Sequence, residues 1–380
     1  MSARASVLGI GEADGGKATG RPGVELGAEA ALRALADAGL GLEEVDGLLV
    51  EDPDADQHHM AHLALADVLG WRPAFASSTA CGGATPFANV ALAVAALAAG
   101  FAERVLVVDY DARQTRRDPD RSQRLARTGG HRDPWADPYG PTTMAKFALV
   151  QRAHMHAWGT TREQLAHLTV NARDNGALRD GAQLRRPVTL EEVLASPPLA
   201  EPIHLLDACV VSDWGSALVV GRPEPGSRRA VDVLGVGQGH QGYAVTSPDD
   251  LSTFPGIAAS GRRAFAMAGL APADMDLALV YDSFTITVVA ALEALGFCPP
   301  GQGGPYVASG ATARDGGLPV NPHGGQLSYG GGHGHFLTEA VRQLRGEAPS
   351  AQVAGAELAV CQGTAAGVLS SHTVVLGSRR

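Results

Sequence analysis

A chain of 380 residues with 45% hydrophobic and 18% charged side chains can build one large fused core or two smaller ones, which excludes a disordered polypeptide. Thirty Lys and Arg against forty Asp and Glu leave a formal net charge of −10, so wholesale wrapping of nucleic acid or an anionic membrane surface is excluded, while small charged ligands remain open. The four cysteines, Cys81, Cys209, Cys298 and Cys361, show no CxxC spacing and no secretory context, and no apolar run reaches the roughly 20 residues of a membrane span; free thiols in a reducing cytoplasm are expected.

In chain order, the first unit opens with the apolar run Val7-Leu8-Gly9-Ile10-Gly11 and a glycine-bearing loop. Ala31 to Val50, ALRALADAGLGLEEVDGLLV, then has the spacing of an amphipathic helix stopped by Gly39 and followed by a strand. Cys81 to Gly100, CGGATPFANVALAVAALAAG, predicts a glycine-led, alanine-rich helix, with the strand Arg104 to Val108 behind it. The rhythm breaks over Asp109 to Pro202, which reads as an insertion. Its part from Arg113 to Trp135 is polar and Arg-rich, either a loop that meets phosphates or a solvated one paired with Asp118, Asp120 and Asp133, whereas Thr142 to Asn171 reads as helical.

The opening then recurs. Val233 to Gly237, VLGVG, repeats Val7 to Gly11 at an offset of 226 (233 − 7). Gly261 to Val280, GRRAFAMAGLAPADMDLALV, repeats Ala31 to Val50 at 230 (268 − 38), setting Ala268-Gly269-Leu270 on Ala38-Gly39-Leu40 and Asp276 on Asp46. The glycines Gly330 to Gly332, a helix through Phe336 to Leu344 and a strand at Leu358 to Val360 answer the Cys81 segment. Strands alternating with helices predict a buried sheet in each half, covered by helices: a pseudo-twofold α/β architecture with halves at 1–222, carrying a loop subdomain at about 109–202, and 229–380.

Several residues carry chemical potential. Cys81, at a helix start, feels the positive end of the dipole, which favours a nucleophilic thiolate; the plain alternative is a small buried hydrophobe. Tyr281 and Asp282 follow an apolar strand, where α/β proteins place their sites. Tyr281 can take or give a proton if a neighbouring dipole or charge shifts its phenol, while Asp282 suits a helix N-cap. Asn321 to His335, NPHGGQLSYGGGHGH, sets Tyr329 among glycines able to aim backbone N–H groups at an oxyanion. Its histidines, His323, His333 and His335, lack acidic companions in sequence, so no metal site is expected. Cys361 ends an apolar strand and opens a Gly/Ala turn.

Five stretches, in order and over nearly the whole chain, resemble the thiolase superfamily, specifically its sterol-carrier-protein and lipid-transfer-protein branch. Cys81-Gly82-Gly83 resembles the nucleophile turn, and Glu201 to Cys209, EPIHLLDAC, with Ser212-Asp213 resembles the end of the insertion domain. Tyr281-Asp282-Ser283-Phe284 stands at the NEAF or HDCF motif, Asn321 to Gly330 resembles the NxxGG…GHP loop, and Cys361-Gln362-Gly363 resembles the terminal CxG turn. The resemblance implies a five-layer αβαβα fold with two pseudo-symmetric halves, and dimerisation through the central sheets.

The departures from a thiolase are specific. Gly330-Gly331-Gly332 replaces the GHP histidine that tends the nucleophile, Tyr281 replaces the Asn or His of the second motif, and Tyr329 stands nearby. That pattern resembles the steroid side-chain-cleaving aldolases of actinobacteria, which split a β-hydroxyacyl-CoA into a ketone and a shorter acyl-CoA without an acyl-enzyme, beside a small partner with a zinc ribbon and an OB fold. It implies that one tyrosine, with Tyr281 favoured beside Asp282, takes the β-hydroxyl proton, and the other protonates the α-carbon. Gly82, Gly83, His323, Gly324 and Gly325 are then expected around the thioester oxyanion, and CoA enters as substrate rather than as a resident cofactor. Two readings stay open beside it. One is a degradative thiolase acting through Cys81, with Cys361 as acid/base and His333 or His335 as a displaced base; the other is a non-catalytic acyl-CoA or lipid-binding subunit.

Overall fold

The structure is a computed structural model that describes residues 5–53, 60–117, 120, 138, 142–222, 229–348 and 351–379. Along the first half run β1 (Ala5–Glu12), α1 (Gly23–Ala38), β2 (Gly47–Glu51), α2 (Ala61–Val68), β3 (Phe75–Thr79), α3 (Thr85–Ala99) and β4 (Arg104–Ala112). The insertion supplies α4 (Thr143–Trp158), α5 (Arg162–Leu178), α6 (Leu190–Leu194) and the hairpin β5 (Pro198–Ala200) and β6 (Ile203–His204), after which β7 (Asp213–Gly221) closes the half. The second half contains β8 (Val231–His240), α7 (Pro255–Ala268), β9 (Leu277–Val280), α8 (Thr285–Leu295), α9 (Gly303–Ala308), α10 (Gly325–Ser328), α11 (His335–Arg345), β10 (Leu358–Ala365) and β11 (Ser370–Ser378).

The strands form one sheet of order β3-β2-β4-β7-β1-β8-β11-β10-β9, whose two leaves meet where Ala5–Val7 pairs with Val231–Val233. Each leaf has the same wiring. A parallel pair (β2/β4, β9/β10) is followed by antiparallel neighbours (β4/β7/β1, β10/β11/β8). The extra strand β3 is matched in the second leaf by one parallel bridge from Ala278 to Val320.

The repeated residues have concrete jobs. Gly39 and Gly269 end α1 and α7 with the same backbone angles, φ 68° and ψ 30°, the left-handed cap that glycine takes without strain. Asp46 accepts the N–H groups of Glu103 and Arg104 at the start of β4, and Asp276 does the same for Glu357 and Leu358 at the start of β10. Gly9, Gly11, Gly235 and Gly237 lie within strands, where α1 and α7 cross so closely that a Cβ would overlap a helix carbonyl oxygen.

Between the leaves lie α3 and α11. Phe87, Val90, Val94 and Leu97 of α3 join Phe336, Leu337, Val341 and Leu344 of α11 in a core that also takes Val105, Leu218, Leu277 and Val374 from both leaves. Gly82–Ala99 is apolar and long enough to cross a membrane, yet it is this central, mostly buried helix. On the outer faces, α1 and α2 cover the first leaf, and α7 and α8, with α4 and α5 of the insertion, cover the second. The result is five layers, αβαβα.

Local boundaries depart from expectation in four places. The Cys81 helix proper begins at Thr85, after a 3₁₀ turn at Gly82–Ala84. The helical part of the insertion is two helices, split at Gly159 (φ 73°) and restarted by the Thr161 capping box. β10 continues to Ala365, so Cys361 lies inside a strand rather than at its end. Most of the Arg-rich stretch, 118–119 and 121–135, lies outside the described residues.

Gly235→Val is expected to lower unfolding stability by about 3 kcal/mol through overpacking, read as a shifted urea midpoint at unchanged slope. Gly317→Ala, into open space, is expected to change it by less than about 0.5 kcal/mol.

Candidate active site

Residues 329–335, with the first turn of α11, collect side chains from the carboxyl ends of β1, β2, β4 and β9. Glu51 ends β2, Asp109 lies near the end of β4, and both are buried with His333. His333 Nδ1 is 3.4 Å from Glu51 Oε2, and the Gly334 N–H donates to Asp109 Oδ2 at 2.7 Å. Burial, reinforced by the charge of Glu51, pushes the Asp109 carboxyl up to about 7.

Tyr281 packs perpendicular to His333 with ring centroids 5.0 Å apart, and 6.2 Å from Phe336. Its ring lies directly over the nucleophile turn, since a Cβ on Gly83 would overlap it. The backbone is pinned: its N–H donates to the Gln362 carbonyl at 2.9 Å, and its carbonyl accepts from Thr287 Oγ1 at 3.0 Å. Trp214 stands 5.9 Å from His333 and carries the Arg113 guanidinium on its face at 4.4 Å. Burial alone would weaken Arg113 as a cation, but Asp111 at 2.8 Å, Glu51 and Tyr281 together hold it above its usual range. Arg113 and Tyr281 are thus electrostatically coupled.

Tyr329 sits in a different setting. Its hydroxyl donates to Glu12 Oε2 at 3.0 Å, and burial together with the Glu12 charge pushes the phenol above its usual range. Burial would raise Glu12 as well, but Arg342 at 2.6 Å, His335 at 3.9 Å and the Thr338 hydroxyl hold it far below, as a carboxylate. Arg179 lies 5.8 Å from the Tyr329 ring and pairs with Glu339 at 3.2 Å. His323 is buried 5.4 Å from Tyr329 and 5.5 Å from Phe336, and neither of its ring nitrogens has a partner. Burial and the Arg179 and His335 charges keep that imidazole neutral. Ring contacts thus run from Tyr281 through Phe336 and His323 to Tyr329.

Other expected residues take different roles. Asp282 does not cap α8, which follows it; Oδ1 accepts the Gln326 N–H at 2.8 Å and Oδ2 the Leu327 N–H at 3.3 Å, so it caps α10 across the chain. Burial pushes it to about 7 despite those bonds. Gly324 spends its N–H on the Asn321 carbonyl at 2.8 Å, and Gly325 makes room for the Asp282 carboxyl. Gly82 and Gly83 remain beside Tyr281. The Cys361 thiol is fully buried in β10 and pushed up by burial. Cys81 is half-buried, and burial followed by the Glu51 charge raises its thiol too, opposite to the expected helix-dipole activation.

The sequence reading missed Glu12, Glu51 and Asp109, the acidic companions that His333 and His335 lack in sequence. Each is a carboxylate at or near the end of a buried apolar strand, and that is the signal that could have found them. Glu51 and Tyr281 are also equivalent positions of the two repeats (281 − 51 = 230).

A five-layer duplicated sandwich with a Cys-Gly-Gly turn and an Asn-x-x-Gly-Gly loop defines a thiolase-fold protein, and a family model described as thiolase C-terminal domain-like matches residues 237–378. The chain is 35% identical over 372 residues to the 17-hydroxy-3-oxo-4-pregnene-20-carboxyl-CoA lyase of Mycobacterium tuberculosis, covering 94% of this chain and 95% of that one. It is 34% identical over 344 residues to an acetyl-CoA acetyltransferase of Methanothermobacter thermautotrophicus, covering 87% and 88%. A solved Ltp2-ChsH2(DUF35) aldolase superposes with a TM-score of 0.88 at 30% identity, over 99% of this chain and 98% of that one. The chain belongs to the thiolase superfamily, in the sterol-carrier and lipid-transfer branch that holds the side-chain-cleaving aldolases.

Iodoacetamide at pH 7 is expected to alkylate Cys81 more slowly than an unperturbed cysteine, because less thiolate is present below a raised pKa. Peptide mass spectrometry over time measures this, and Glu51→Gln should speed the labelling.

Proposed function

We propose that the protein is a carbon–carbon lyase that splits a β-hydroxyacyl-CoA, of the steroid side-chain class, into a ketone and a shorter acyl-CoA by retro-aldol scission. Identity alone does not choose between lyase and acyltransferase, because relatives of both kinds match equally well. The observation that carries the reading is the filled place of the thiolase histidine. A Cβ at Gly331 would meet the His335 ring at 2.8 Å, and one at Gly332 would overlap Trp214, so neither position admits a histidine side chain. His333 turns its Nδ1 to Glu51 and its ring to Tyr281.

In this reading Tyr281, with Arg113 stabilising its phenolate, removes the β-hydroxyl proton, and collapse of the alkoxide breaks the Cα–Cβ bond. The electron pair stays on the acyl-CoA as a thioester enolate, and Gly82, Gly83 and the unpartnered His323 are the groups placed to stabilise it. Tyr329, held as a protonated phenol, then gives its proton to the α-carbon of that enolate, which completes the shorter acyl-CoA. The resemblance to the Ltp2-ChsH2(DUF35) aldolase supports a small OB-fold and zinc-ribbon partner, and the terminal position of β3 in the sheet supports pairing with a second copy, in the cytoplasm.

The test uses 17-hydroxy-3-oxo-4-pregnene-20-carboxyl-CoA, the thioester named for the mycobacterial relative. Tyr281→Phe and Tyr329→Phe are each expected to slow cleavage by about 10²-fold or more, while Cys81→Ala does little. Loss of turnover in Cys81→Ala with silent tyrosine changes, or an acyl group found on Cys81 by mass spectrometry, would establish the thiolase instead. Thioester binding without cleavage in the presence of the small partner would leave a carrier subunit.

A further inference from the structure

When Tyr329 gives its proton to the α-carbon, it leaves a phenolate oxygen 3.0 Å from the Glu12 carboxylate. Like charges that close and out of water repel strongly, so the step needs a cation with charge to spare. Arg342 is spent on Glu12 Oε1 at 2.6 Å. Arg179, at the end of α5, is different. It is buried, its contact with Glu339 Oε2 at 3.2 Å is not an aligned hydrogen bond, and its Nε has no partner. A guanidinium withdrawn from water with an unmet donor is costly, and an anion that forms beside it during the reaction would complete it.

The insertion fixes this cation against the acid. The Arg179 guanidinium stands 5.8 Å from the centre of the Tyr329 ring. The chain then turns at Gly181 (φ 85°), so close that a Cβ there would touch the Tyr329 hydroxyl at 3.8 Å. The Gln183 N–H donates to the Tyr329 carbonyl at 3.1 Å, and the Leu184 N–H to the Ser328 carbonyl at 3.0 Å. Ser328 Oγ returns a bond to the Leu184 carbonyl at 2.6 Å. Arg179 and Tyr329 are thus held in one frame although they belong to different parts of the chain. Burial and the Glu12 charge dominate the Tyr329 phenol, and among the groups opposing them Arg179 comes ahead of Arg342.

We propose that Arg179 is a positioning residue for the acid: its charge stabilises the Tyr329 phenolate that forms as the α-carbon is protonated, so the insertion takes part in the chemistry through the end of α5. The inference rests on the retro-aldol reading with Tyr329 as acid. The step balances. The O–H bond of Tyr329 breaks as the enolate electron pair becomes a C–H bond at the α-carbon, and the phenolate takes its next proton from water after product release.

Scission of the pregnene-20-carboxyl thioester leaves propionyl-CoA. Its α-hydrogens report the acid step run backwards, because the Tyr329 phenolate must remove one before deuterium from D2O replaces it. The full chain, co-produced with its small partner, should catalyse this exchange, read by mass spectrometry, and Tyr329→Phe should slow it by about 10²-fold or more. Arg179→Gln alone would strand the Glu339 carboxylate and threaten folding, so Arg179→Gln/Glu339→Gln removes the pair together. That double variant should lower both exchange and kcat for steroid cleavage about 10-fold, with KM changed less than about twofold. Arg179→Lys/Glu339→Gln, which keeps a cation in the same background, should recover most of both. Exchange and kcat untouched by the glutamine pair, or lowered equally with lysine in place, would overturn the role of Arg179 and leave the lyase reading standing. Full exchange in Tyr329→Phe beside normal cleavage would overturn it as well, since the acid would lie elsewhere. Exchange without any cleavage of the steroid thioester by the unaltered protein would instead sink the lyase reading, and the role of Arg179 with it.

Discussion

The Glu12 carboxylate, withdrawn from water at the end of β1 and clasped by Arg342 of α11, fastens the first half of the chain to the second where the chemistry sits. Desolvating two such ions costs several kcal/mol each, and that cost is offset only when the remaining lone pairs are met. Here they are, by the hydroxyls of Thr338 and Tyr329. Helix α11 consequently cannot slide along β1 without stranding a buried charge, so Tyr329, His335 and the intervening His333 stay in register with the strand ends of the first half.

The duplicated architecture explains how two unlike groups came to face each other. Glu51 and Tyr281 follow the same run of the repeated unit, one after Gly47–Val50 and the other after Leu277–Val280, and both arrive beside His333. One copy presents a carboxylate and the other a phenol. Asp52 and Asp282, the next residues, have diverged as well, and Asp282 now anchors the loop that bears Tyr329.

Much of the fold was legible because its signals are local. Gly39 with Gly269 and Asp46 with Asp276 serve the same helix stops and strand starts in both halves, so their spacing survives as a pattern. The early end assigned to the strand at Leu358 had a physical cause. Gln362 and Thr364 look like turn residues, but Gln362 is buried against Ser371 at 2.8 Å while β10 pairs with β11 over eight residues. Of the site, the nucleophile turn, Tyr281 and Tyr329 could be placed from motifs. Glu12, Glu51 and Asp109 could not, since what matters about them is contact with residues some 225 to 330 positions away. The direction of the Cys81 shift was illegible for the same reason: burial, followed by the charge of the distant Glu51, raises the thiol.

The loop that has lost its histidine also bears on how such a fold can change its trade. Because Trp214 and His335 have moved into the volume beside Gly331 and Gly332, restoring one imidazole there would collide with side chains that are now part of the new pocket. Recovery of Claisen chemistry would need the tryptophan, the second histidine and the glycines altered in concert, with each intermediate folding less well than either endpoint. Packing has turned a change of catalyst into a ratchet, and lineages that took this step would be expected to diversify in the molecules they split rather than drift back to condensing them.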